Sequence, residues 1–115
     1  MRVRLADLGC SVRLESKTAK RTYGIGTPGY IPPEALETRS YGLPFDIWSL
    51  GALMYALFSF TIPFFDEDDE SRERRVCNEP LSLETKREFD YASDEAKDLI
   101  NGMLEKNPDK RLTIE

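Results

Sequence analysis

The chain has 115 residues, 40% hydrophobic and 32% charged, with a formal net charge of −5 and no histidine. That is the composition of one small globular unit or part of one, not of a disordered segment, and the net acidity argues against nucleic-acid binding. The absent histidine excludes Ser-His-Asp and Cys-His catalysis, His-bearing zinc sites and any histidine pH switch within these residues.

In chain order, Val3-Arg4-Leu5-Ala6 alternates and predicts a short strand entering a turn at Asp7-Leu8-Gly9, where Gly9 supplies the positive φ. Residues 1–22 carry six basic groups against Asp7 and Glu15, a local +4, so the remainder of the chain carries −9. From Cys10 to Pro33 no period is sustained, and Ser, Thr, Gly and Pro dominate; a loop this long inside a compact unit is usually functional or mobile. Glu34–Glu37 suits one helical turn. Tyr41-Gly42-Leu43-Pro44 is a turn leading into a long helix, with Pro44 near its start.

Ile47–Phe65 holds 19 residues without a charge, which raises the question of a membrane span. Ser49, Gly51, Ser59 and Thr61 dilute its hydrophobicity, and Pro63 limits the helix to about 15 residues, roughly 22 Å, short of the ~30 Å hydrocarbon thickness. Acids flank both sides and no basic cluster orients insertion. The segment therefore reads as a helix over 44–60, apolar on every side and buried centrally in a larger protein. Met1–Ala6 is no signal peptide, since no apolar stretch follows its arginines. Cys10 and Cys77 form no CxxC pair and no disulfide framework, so the default location is cytoplasmic.

The acidic run 66–70 is followed at once by Arg72, Arg74 and Arg75. A solvated face accounts for it, and the sharper reading is a surface that attracts basic peptide. Ser71–Val76 predicts a short exposed helix, and 78–91 is irregular around Pro80. Ser93 then caps a helix over 93–105 whose first turn carries Asp94 and Glu95. Its apolar face is Ala96, Leu99, Ile100, Met103 and Leu104. Pro108 ends it, and Asp109–Glu115 begins another helix. One strand, one long loop and two firm helices are little material for a self-sufficient core. The chain reads as mainly α and as an incomplete domain.

The order of the motifs carries a resemblance. Asp7-Leu8-Gly9, Gly26-Thr27-Pro28-Gly29-Tyr30, Pro32-Pro33-Glu34, Asp46-Ile47-Trp48-Ser49-Leu50-Gly51, Pro63-Phe64, Asp98-Leu99-Ile100 and Arg111 together resemble the C-lobe of eukaryotic protein kinases, over nearly the whole chain. Asp-x-Gly alone is weak, whereas Gly-Thr-Pro-x-Tyr, then Pro-Glu, then Asp-x-Trp-Ser-x-Gly at these distances is specific. The wording around Tyr30 and Tyr41–Trp48 is similar to Ser/Thr kinases of the calmodulin-dependent type.

The resemblance implies a partial kinase-like fold: metal-binding turn and activation segment over 1–34, central helix over 44–60, amphipathic helix over 93–105. It implies phosphoryl transfer from ATP with Mg²⁺ to Ser or Thr of a protein or peptide substrate in a complete domain. Asp7 matches the metal-binding carboxylate, a hard oxygen suited to Mg²⁺, although a turn aspartate bonding its own backbone is the plainer alternative. Thr27 matches the threonine that positions the acceptor side, and Asp46 the carboxylate that caps the central helix. Glu34 matches the acid that pairs with Arg111, a buried bidentate bridge from loop to helix. Gly9 and Trp48 complete the supporting set. Thr22, with Tyr23 beside it, lies close to where family members are phosphorylated; a phosphate there adds about −1.5 to −2 charge and would order the loop through arginines, with a plain solvated hydroxyl the equal alternative.

Leu8 stands where the family has Phe, with reach enough to pack. Pro32 replaces the usual Ala, and Phe60 stands where Gly commonly ends the central helix. These residues include no glycine-rich phosphate loop, no Val-Ala-Ile-Lys strand, no partner Glu and, with no histidine, no His-Arg-Asp loop. Two readings follow. In one, the chain is the C-terminal part of a Ser/Thr kinase domain whose N-lobe and catalytic loop lie upstream, inactive by itself. In the other, it is a non-catalytic binding module or pseudokinase remnant. Neither involves nucleic acid or a membrane.

Overall fold

The structure is a computed structural model that describes residues 2–22, 24 and 26–115; Tyr23 lies outside the described residues. Proline chemistry sets both early helices. Pro32 is extended (φ −74°, ψ 157°) and Pro33 opens α1 (Pro33–Thr38), which ends where Arg39 turns left-handed at φ 54°. Proline fits a first helical position because its missing N–H has no partner there anyway. The chain then forms β2 (Ser40–Tyr41), antiparallel to β1 (Arg21–Thr22), with Arg21 opposite Tyr41 and Thr22 opposite Ser40.

Pro44 opens the long helix α2 (Pro44–Ser59), and Phe60 closes it at φ 56°, its N–H donating to the Ala56 carbonyl. A loop leads to α3 (Asp69–Asn78), capped by the Asp68 carboxylate, which accepts from the Ser71 N–H at 2.8 Å. After a 3-10 turn at Arg87–Phe89 comes α4 (Asp94–Met103), where the Ser93 hydroxyl accepts from the Ala96 N–H at 3.2 Å. Side-chain caps satisfy N–H groups that the helix itself leaves unpaired.

The core gathers around α2. Trp48, Ala52 and Tyr55 pack with Phe64, Val76, Leu83, Phe89, Ile100 and Leu104. Tyr55 and Phe89 lie 5.0 Å apart at a tilt of 50°, a favourable aromatic arrangement. Gly51 lets α4 close onto α2: a Cβ there would stand 2.7 Å from the Met103 Cβ. Ile100 and Leu104 carry the buried face of α4, while Leu99 is at the rim, 39% exposed.

Several expectations need correcting. Residues 3–6 form no strand and are exposed, because no second strand among the described residues meets them. Asp7, not Gly9, takes the positive φ, at 58°; aspartate tolerates the left-handed region better than most residues. Leu8 is exposed rather than packed. Asp46 does not cap α2: Leu43 holds that position without a side-chain bond, and Pro44 starts the helix two residues before the aspartate. α2 is not covered on every side, for Leu50, Leu53 and Leu57 are exposed. The predicted exposed helix 71–76 is longer, and its Val76 is buried against the core. Residues 109–115 form a turn and an extended tail, not a helix. No helix among the described residues is long and apolar enough to cross a membrane.

Candidate functional site: a loop clamped to the helical core

The segment 26–34 is built by a tight turn. Pro28 and Gly29 occupy its centre, Gly29 at φ 90°, and the Tyr30 N–H donates to the Thr27 carbonyl at 3.1 Å. Proline followed by a positive-φ glycine is the signature of a type II turn. Gly29 also lies against Ile62: a Cβ there would stand 2.2 Å from Cδ1, the movable end of that side chain, so the positive φ is the firmer requirement. The Ser49 hydroxyl of α2 donates to the Tyr30 carbonyl at 2.8 Å and ties the end of this turn to the core.

α1 then carries Glu34 to Arg111, 77 residues away in sequence. Arg111 Nη1 donates to Glu34 Oε1 at 2.7 Å and Nη2 to Oε2 at 2.8 Å. This is the bidentate fork that fixes orientation as well as charge. The remaining donors are also engaged: Nε donates to the Glu105 carbonyl at 2.8 Å, Nη1 to the Pro44 carbonyl at 2.9 Å and Nη2 to the Lys106 carbonyl at 3.3 Å. Arg111 is 3% exposed, a burial that a charged group tolerates only when paired this fully.

Beneath the bridge lies an aromatic platform. The Arg111 Cζ sits 5.1 Å from the Trp48 ring centroid. Trp48 stacks on Phe64 with centroids 6.4 Å apart and planes 12° from parallel. The Lys106 ammonium lies 4.0 Å from the Phe64 centroid and donates to the Val76 carbonyl in the last turn of α3. Cations over aromatic faces are attracted most strongly where water is excluded. Burial pushes the Lys106 amine below its ordinary value, opposed by Cys77, Glu79, Glu105 and Glu37. Trp48 Nε1 is buried with no acceptor among the described residues.

The other singled-out residues lie elsewhere on the surface. Thr27 is exposed at the start of its turn, and Thr22 is exposed in β1 opposite Ser40. Asp46 is exposed in the first turn of α2. Asp7 is exposed on its left-handed turn, and Gly9 follows it, a Cβ there standing 3.4 Å from Asp7 Oδ1. Among the described residues no three His, Cys, Asp or Glu side chains converge as a metal site. One carboxylate is a single donor where Mg²⁺ demands six ligands, so these residues by themselves do not fit the ion.

Ser49 and Lys106 are the participants the sequence did not single out. Ser49 stands inside the Asp-Ile-Trp-Ser run and was legible there; Lys106 reaches the platform from an irregular segment with no local signal.

Along its whole length, residues 1–115, the chain matches the protein kinase domain family. It belongs to that family, and its helical fold with a two-residue ribbon is part of a kinase-like C-lobe.

Proposed function

We propose that this chain is the activation-segment and helical-core part of a protein serine/threonine kinase catalytic domain, holding the acceptor-side loop in place for phosphoryl transfer. The observation that supports this reading most directly is the Glu34–Arg111 fork, which joins the loop bearing Thr27 to the Trp48 platform. Phosphoryl transfer depends mainly on positioning and electrostatics, and a saturated guanidinium over a stacked indole is a rigid mount for a loop.

In this reading Thr27 selects an aliphatic hydroxyl as acceptor. Phosphate on Thr22 orders the ribbon, with Arg21 beside it and Arg39 next to its partner Ser40. Asp7 contributes one oxygen ligand to a metal–ATP site completed by residues outside this chain. The substrate is a peptide, basic where it meets the acidic run: Asp68 caps α3, while Asp66 and Asp69 pair with Arg75 and Arg72, leaving Glu67 and Glu70 to face a partner.

The test is phosphate transfer by the natural polypeptide containing this chain to peptides differing only in a Ser, Thr or Tyr acceptor. Labelling of Ser and Thr but not Tyr, lost in the Thr27→Ala variant, supports the proposal; labelling of Tyr overturns the acceptor assignment. The second reading, a non-catalytic binding module, is favoured by the lack of any histidine, hence of a His-Arg-Asp loop, in these residues. It predicts no transfer to any acceptor. Under the first reading the 115-residue chain by itself shows neither micromolar ATP binding by calorimetry nor turnover.

A further inference from the structure

A cavity of about 300 Å³ opens between the end of α2, the 61–65 loop and the segment after α3. That is the lower end of the size range of small-molecule sites, room for one ring and one polar group. Tyr55, Phe64 and Phe65 line it, and aromatic walls receive a flat ring by offset or edge contact.

The ionised groups around it differ in how they are held. Arg75 is shared between Glu79, through a fork at 2.6 and 3.1 Å, and Asp66 at 3.8 Å. Lys86, exposed at the cavity, makes no ion pair within 4.0 Å among the described residues and acts on Glu79 only from farther away. Tyr55 is 1% exposed as a residue, but its hydroxyl, which makes no hydrogen bond among the described residues, is not sealed from solvent at the cavity. An anionic oxygen entering the cavity would accept from it.

We propose that this cavity binds a small aryl acid, a single ring bearing a phosphate or carboxylate. The ring rests on the aromatic wall, and the anion is met by Lys86 and the Tyr55 hydroxyl. The same chemistry is offered by a free aryl acid and by a phosphotyrosine side chain.

The experiment is an NMR titration of the isotope-labelled full chain with phenyl phosphate, benzyl alcohol and a short phosphotyrosine peptide. Saturable shifts of the Thr61, Leu81, Ser82 and Thr85 amides are expected with phenyl phosphate, with benzyl alcohol about tenfold weaker. Lys86→Met weakens phenyl phosphate about tenfold and Tyr55→Phe about threefold. Lys86 is exposed and Tyr55→Phe keeps the ring, so both variants retain the parent spectrum elsewhere. Tighter binding of the peptide than of phenyl phosphate assigns the ligand to a protein partner, and the reverse assigns it to a free acid. Equal binding of benzyl alcohol, shifts scattered over surface lysines, or an unchanged affinity in Lys86→Met would overturn the proposal.

Discussion

Arg111 has five N–H groups and all are accepted, two by Glu34 and three by backbone carbonyls. Removing the acid alone leaves a buried cation uncompensated. Glu34→Gln is therefore expected to destabilise the chain by about 3 kcal/mol in urea unfolding, while Glu34→Leu with Arg111→Met recovers most of that loss. An unchanged midpoint in Glu34→Gln would mean that the carbonyls suffice. Phe60 presents the opposite case: it is 94% exposed and left-handed at φ 56°, so Phe60→Gly is expected to stabilise by about 1 kcal/mol. Phe64 has a similar φ of 58° but is buried in the Trp48 stack; glycine there gives up the ring contact and brings no gain. The Glu34–Arg111 contact was legible only through motif order, since nothing local links positions 77 residues apart. The left-handed Asp7 was not legible, because glycine two residues on offered the cheaper candidate for a positive φ.

At the scale of elements, α3 depends on two carboxylates. The Ser71 backbone N–H, then the Ser71 side chain, holds the Asp68 carboxyl below its ordinary value of 3.8. The hydrogen bond from Arg75 holds Glu79 below its ordinary value of 4.5. In both, the folded form favours the ionised state. Their contribution is full above those ordinary values and is lost as pH falls through the lowered ones. Amide exchange in α3 is expected to accelerate in that acid window while α2, which has no such cap, changes less; Asp68→Asn, whose cap does not titrate, flattens the response. The helices themselves were legible because caps and apolar spacing are local signals: Ser93 with Asp94 and Glu95 marks the start of α4 within a residue. The strand at 3–6 and the helix at 109–115 were not, because alternation needs a partner and a terminal turn needs something to pack on.

For the molecule as a whole, α2 decides the balance. One side is fully engaged by Trp48, Gly51, Ala52 and Tyr55. The other leaves Leu50, Leu53 and Leu57 exposed at 45%, 46% and 71%, spaced as one continuous helical stripe. Sequence alone showed a helix apolar all round and could not say which side finds a partner, since periodicity carries no information once every face is apolar. Contiguous apolar surface of this kind drives association. The 115-residue chain is expected to self-associate with rising concentration in analytical ultracentrifugation, and Leu53→Lys with Leu57→Lys is expected to return it to a monomer. A parent chain that sediments as a monomer throughout the concentration series contradicts this.

The protein has one tryptophan, and it stands between a guanidinium above and a phenyl ring with its ammonium below. Indole fluorescence responds to nearby cations and to the entry of water, so this single chromophore is a native optical gauge of whether α1 is seated. Lifting the glutamate off its arginine changes the emission at the one position able to report it, with no label attached.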